Sequence, residues 1–342
     1  MTQSATQQSA ASQVIGIGGY FELEGLPPAE ADTAFRFQSA RAALSTLLTS
    51  NGFRCVAIPR FLCDTVREEL ERVGISVREY DLERDMSASQ ALEPKANEAV
   101  VPVNYFGLCR AQVDAALARL PRQQCVADNS QAFFESPSDC LGTVYSPRKF
   151  FGVPDGGLLY TDSDVQLPER VDPDSASRCQ HLLHRLDGAP EDGLSAYRRA
   201  EASLSGVPAC RMSTLTARLL ASTDAESARA QRVRNFEAVH ELVRPLNQFR
   251  LPEQIRAPLT YPLQLAENEA VALRSALIEA RIFTPTYWGE CLSSGASADK
   301  EQAACLAASI VHIPIDHRYA AETITTRLRD VPALDELLET VA

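Results

Sequence analysis

Lysine is nearly missing from this chain. Among 342 residues and 33 lysines and arginines, three are lysine: Lys95, Lys149 and Lys300. A coding bias toward arginine would give the same scarcity, so the count alone assigns no role. It matters because the lysine amine, unlike a guanidinium, can lose its proton and attack a carbonyl. Long apolar runs are missing too, which excludes a membrane-crossing helix. Positive charge is in deficit, with a net charge of -12 at pH 7. This excludes a protein that tracks nucleic-acid phosphates or an anionic membrane surface, and neither partner is expected. Paired cysteines are missing: the nine are scattered, odd in number, and form no C-x-x-C. Neither a disulfide framework nor a zinc site is expected, and reduced thiols fit the cytoplasm. Cys179, His181 and His184 lie close together, but on a helix Cys179 does not share a face with both histidines, so no metal is expected. The first thirteen residues have neither a basic start nor an apolar stretch. Residues 1–14 are expected to form a polar, disordered arm and not a secretory signal.

What is present is enough apolar sequence, 45% of the residues, to bury a sizeable core. From residue 38 to about 160 short apolar strands alternate with amphipathic helices. "SARAALSTLLTSNG" reads as a helix capped by Ser39 and stopped by Gly52, and "CDTVREELERVG" as another. "RCVAIP", "SVREYD", "AVVPVNYFG", "QCVAD", "GTVYS" and "GGLLYTD" read as strands. Such alternation predicts an α/β fold with a mostly parallel sheet and helices on both faces. A mainly helical stretch follows to about residue 247, and the remainder reads as strand, helix, strand, helix. The expected division is a large domain over 15–225 and a smaller C-terminal α/β domain over 226–342.

The glycine-rich "GIGGYFELEG" does not fit a dinucleotide fingerprint, because Phe21 stands at the third glycine position and no adequate strand precedes it. A stronger constellation is "CVADNSQAFFE" followed by "YSPRKFFGVPDGG". Asp128 ends one apolar strand, Gln131 follows it, and Lys149 comes after the next strand. In a parallel sheet both strand ends open on one edge, so a carboxylate, an amide and an amine converge on one ligand. A carboxylate there can keep a pyridinium nitrogen protonated while the lysine forms an imine with an aldehyde. The plain alternative is a helix-capping aspartate and a surface lysine.

At these two segments the sequence resembles the DegT/DnrJ/EryC1/StrS sugar aminotransferases, a family of fold-type-I pyridoxal-phosphate enzymes. "RFQSARAALSTLL", "AIPRFLCDTV", "CRMSTLTARLL", "RIFTPTYW" and "VHIPIDHRY" extend the resemblance over nearly the whole chain. The resemblance implies a fold-type-I transferase with pyridoxal 5'-phosphate as cofactor. Lys149 becomes the Schiff-base lysine and proton carrier, Asp128 the partner of the pyridine nitrogen, and Gln131 the neighbour of the ring hydroxyl. Ser146 and the helix start at Ser39, Ala40 and Arg41 are implied to bind the phosphate. Phe61 or Cys63 is implied to stack on the ring. The implied activity moves an amino group from an amino acid, glutamate, to a nucleotide-linked keto-sugar in a homodimer with interface active sites.

The departures are specific. Ser39-Ala40-Arg41 replaces the family's hydroxyl-rich phosphate turn, Ser146 stands closer to the lysine than in many members, and Ala209-Cys210 replaces an asparagine that reaches the partner's phosphate. Arg211, Trp288 and His317 are further candidates for substrate contacts, with packing between domains as the alternative for Trp288. Two other functions share these residues: a lyase, dehydratase or epimerase using the same cofactor, and a non-catalytic descendant that binds a sugar nucleotide.

Overall fold

The structure is a computed structural model that describes residues 23, 25–29, 33–293 and 301–341. The arm expected over 1–14 lies outside the described residues, and so does "GIGGYFELEG" apart from Leu23 and Gly25. From residue 35 the elements are β1 (Phe35–Phe37), α1 (Ala40–Ser50), β2 (Cys55–Pro59), α2 (Asp64–Arg72), β3 (Ser76–Tyr80) and β4 (Glu98–Val100). They continue with α3 (Arg110–Arg119), β5 (Val126–Asn129), β6 (Gly142–Tyr145) and β7 (Gly157–Tyr160).

The strands line up in the order β3-β2-β4-β5-β6-β7-β1. β2 pairs in parallel with β3 and β4, and β5 with β6. Isolated parallel bridges Val100↔Cys125 and Val103↔Asp128 join the two halves of the sheet. Only β7 breaks the pattern, running antiparallel to β6 and β1. The sheet is therefore mostly parallel, as the alternation predicts. α1 begins where Ser39 Oγ accepts the Ala42 N–H at 3.2 Å, the cap expected from the sequence.

"AVVPVNYFG" departs from its reading as one strand: continuous strand covers Glu98–Val100, with an isolated bridge at Val103 beyond it. Pro102 has no N–H to give to a ladder. Beyond it the chain turns through Tyr105–Gly107, with Phe106 at φ 58°. The Pro102 carbonyl still accepts the Asp128 N–H at 2.9 Å, and this fixes Asp128 at the sheet edge.

The helical stretch resolves into α4 (Gln180–Asp187), α5 (Pro190–Ala202), α6 (Thr214–Ala221) and α7 (Ala225–Val243). Then come β8 (Thr260–Gln264), α8 (Glu267–Glu279), α9 (Glu290–Ser293), α10 (Glu301–Ser309), β9 (Ile310–Pro314), α11 (Ala321–Arg329) and α12 (Pro332–Glu339). The expected strand, helix, strand, helix are β8, α8, β9 and α11, with β8 and β9 antiparallel. α7 packs on both α11 and β8.

One contiguous core runs from α1 to α12. Its link between sheet and C-terminal elements is aromatic. Trp288 lies 4.4 Å from Phe61, 5.5 Å from Tyr105 and 6.1 Å from Phe106, between ring centroids. Each such side chain contributes roughly 1.5–3 kcal/mol by burial. The cluster thus holds the end of β2 against the segment that precedes α9.

Candidate active site

Because β5 and β6 are parallel neighbours, the residues just past their carboxyl ends open on the same sheet edge. There Asp128 and Lys149 line one cavity of about 570 Å³. Asp128 is buried, and its Oδ1 accepts the Ser130 N–H at 2.7 Å. Lys149 sits in a turn of 3-10 helix, Pro147–Lys149, directly after β6. The next two residues anchor that turn: Phe150 and Phe151 are buried against Phe133, with centroids at 5.7 and 5.1 Å. These anchors leave the lysine free to enter the cavity.

The Lys149 side chain is accessible within the cavity, yet protein atoms crowd around it. Desolvation therefore lowers its pKa below the usual lysine value, opposed by the negative charge of Asp128. Accessibility to small molecules and loss of bulk water coexist here because the surface is concave. A neutral amine that a small molecule can reach is what imine formation needs.

A second end of the cavity is formed by Ser39, Ala40 and Arg41 at the start of α1. Ser39 satisfies the Ala42 N–H, and the N–H groups of Ala40 and Arg41 have no acceptor inside the helix. The Arg41 guanidinium reaches Thr65 Oγ1 at 3.2 Å and Ser205 Oγ at 3.4 Å, and makes no ion pair among the described residues. Burial, and then Arg148, lower its pKa. Beneath this turn lies Gly157, where a Cβ would stand 2.2 Å from the Ser39 carbonyl carbon and 2.4 Å from the Ala40 nitrogen. Only glycine allows that approach.

Seven of the residues singled out from sequence thus share the cavity: Ser39, Ala40, Arg41, Cys63, Asp128, Ser146 and Lys149. Gln131 stands just behind it, buried, with Oε1 accepting the Phe106 N–H at 2.9 Å and Nε2 without a hydrogen-bond partner. Four candidates lie elsewhere. Phe61 is drawn into the aromatic core by Tyr105 and Trp288, so of the two ring-stacking candidates Cys63 is the one at the cavity. Trp288 is buried in the same core, which favours the packing alternative for it. Arg211 is exposed and donates to the Glu169 carbonyl at 2.9 Å. His317 lines a separate shallow cleft on the other side of Phe151.

Sequence reasoning missed one wall. Arg148 pairs with Glu201 of α5, and His181 and Tyr197 stand beside them, their rings 5.5 Å apart. Burial, with Arg148 nearby, lowers the His181 pKa. No local signal could reveal contacts across 53 residues. Among the described residues no group of histidines, cysteines and carboxylates is placed to hold a metal ion.

No protein-family model matches the sequence, and no curated protein matches it. Solved structures do match. A DegT DnrJ EryC1 StrS aminotransferase from Brucella abortus aligns with a TM-score of 0.60 at 17% identity, over 89% of this chain and 85% of that one. PseC of Helicobacter pylori, an aminotransferase involved in the biosynthesis of pseudoaminic acid, aligns at 0.60 and 13%, over 90% and 87%. DesI, solved in the presence of its TDP-sugar product, aligns at 0.60 and 20%, over 88% and 80%. By architecture, then, this chain has the α/β fold of the sugar aminotransferases, the fold-type-I transferase fold.

Proposed function

We propose that this protein is a pyridoxal-phosphate-dependent aminotransferase that moves an amino group from an amino acid, glutamate, to a nucleotide-linked keto-sugar. The observation that carries the reading is the meeting of Lys149 and Asp128 in one cavity at the ends of adjacent parallel strands.

The residues present fit the cofactor. Arg41 is a partly buried cation with no carboxylate partner among the described residues, at a helix start that favours an anion. Gln131 holds a buried amide donor with no acceptor, a costly arrangement unless a ligand oxygen takes it. Ser39, Ala40, Arg41 and Ser146 would hold the phosphate, Asp128 the ring nitrogen, Gln131 the ring hydroxyl, and Cys63 one ring face. When bound, the cofactor supplies an aldehyde for the lysine and an electron sink for the donor's alpha carbon. With the cofactor and amino donor in place, Lys149 Nζ would take the proton from that alpha carbon and deliver it to the carbon that carried the aldehyde, with the Asp128 carboxylate keeping a negative charge nearby. Tyr287 and the wall of His181 and Tyr197 narrow the cavity around it and limit water.

The reading includes a homodimer. α4 has no buried residue and leaves Leu183 and Leu186 62% and 77% exposed, an apolar face that suits a second copy. A one-chain mass in sedimentation would contradict this part. Nine free cysteines favour the cytoplasm as compartment, and no helix among the described residues is long and apolar enough to cross a membrane.

The test of the activity is spectroscopic. Protein loaded with pyridoxal phosphate should lose its yellow absorbance on adding glutamate, as the cofactor converts to its amine form. Retained absorbance with every amino donor tried would point instead to a lyase, dehydratase or epimerase. Protein that stays colourless with the cofactor would favour a binding protein.

A further inference from the structure

The aspartate of "VPDGG" is a buried group that the proposed chemistry leaves without a task. Asp155 is fully buried, and burial pushes its carboxyl up to about 7. Such a carboxylate is costly unless donors hold it. Its Oδ2 accepts the Ser213 N–H at 2.9 Å and its Oδ1 accepts the Ser213 hydroxyl at 3.0 Å, and the Thr216 hydroxyl also donates to Oδ1. Capping of α6 does not explain this. Ser213 Oγ already accepts the Thr216 N–H at 3.0 Å, so that helix has its cap without Asp155.

What Asp155 adds is a tie between two segments far apart in the chain. On one side, the residues up to Ser213 are stitched to the end of β1. Met212 N–H donates to the Arg36 carbonyl at 3.2 Å, Gln38 Nε2 to the Pro208 carbonyl at 2.9 Å, and the Cys210 N–H to Gln38 Oε1. On the other, the residue after Asp155 donates its N–H to the Gln38 carbonyl at 2.7 Å, and Gly157 abuts Ser39 and Ala40. The hydrogen bonds close a ring, Asp155 to Ser213, back along the chain to Gln38, and across to Gly156. The first turn of α1 sits on that ring.

We propose that Asp155 is a positioning residue for the phosphate seat, holding Gly156 and Gly157 under Ser39–Arg41 so that the helix start faces the cavity at a fixed height. The inference rests on the pyridoxal-phosphate reading. It separates the two ends of the cofactor: losing Asp155 loosens the grip on phosphate and leaves the lysine end, built from β5 and β6, as it was.

The test compares pyridoxal phosphate with pyridoxal, which lacks the phosphate, binding to the apo form of the full chain by absorbance. Wild type should favour the phosphorylated ligand strongly. Asp155→Asn keeps the shape but replaces one acceptor oxygen with an NH2 donor, so it cannot accept from the Ser213 N–H and both hydroxyls together as the carboxylate does, and it should narrow that preference about tenfold. Pyridoxal affinity should stay within about twofold of wild type. Thr216→Val removes one donor with little change of shape. It should shift the ratio in the same direction, and it supplies the readout if Asp155→Asn does not fold. An unchanged ratio in folded variants overturns the inference, and so does an equal loss for both ligands, which marks a general structural role. A wild type that binds neither ligand overturns the pyridoxal-phosphate reading along with it.

Discussion

Lys149→Ala should lower the rate of the half-reaction with the amino donor by about a thousandfold or more, the range lost when both a covalent attachment and a general base are removed. The protein should still fold. Lys149 makes no side-chain hydrogen bond and no ion pair among the described residues, and the turn that carries it is anchored by Phe150 and Phe151. Single-turnover kinetics with the variant loaded with cofactor measure the loss. A variant that keeps a tenth of the wild-type rate would remove Lys149 from the chemistry.

Asp128→Asn is the second large effect. The amide fills the same space and can still accept the Ser130 N–H, which Asp128 Oδ1 now takes at 2.7 Å, so the fold should survive. What disappears is the carboxylate charge in a buried site. With it goes the interaction that raises the pKa of Lys149 against the effect of burial. The rate should fall about a hundredfold, the scale expected when one preorganised electrostatic partner is removed from a water-poor site. The pH at which Lys149 loses its proton should move down, so the remaining activity should reach its plateau at lower pH than in wild type. A rate within about threefold of wild type, with an unchanged pH profile, would show that Asp128 is a structural residue.

These two residues were legible because their signal is local. An apolar strand ending in aspartate, then a strand ending in a lysine-bearing turn, needs only the rule that parallel strands open on one edge. The helix starts were legible for the same reason: Ser39 is both a recognisable cap and the observed one. The choice between Phe61 and Cys63 was not. Both come after β2, and what separates them is the aromatic core built with Trp288, a residue from the far end of the chain. Trp288 was open between a ligand contact and packing, and its place among the rings of Phe61 and Tyr105 favours packing. "AVVPVNYFG" misled because its apolar content outweighed Pro102, whereas a missing N–H interrupts the ladder whatever the hydrophobicity and leaves a single bridge, Val103↔Asp128, beyond it. The wall of Arg148, Glu201, His181 and Tyr197 depends on how α4 and α5 return over the sheet edge, and no spacing encodes that. Asp155 was visible only as part of a turn-like Asp-Gly-Gly. Its three donors come from residues 58 and 61 positions away.

The central claim is that Lys149, and no other lysine, carries the cofactor. Its most direct test is to load the protein with pyridoxal phosphate, reduce with borohydride, digest, and locate the modified peptide by mass spectrometry. One stoichiometric adduct on Lys149 is expected, with Lys95 and Lys300 unmodified. An adduct on Lys95 or Lys300 in place of Lys149, or no stable adduct at all, would contradict the claim.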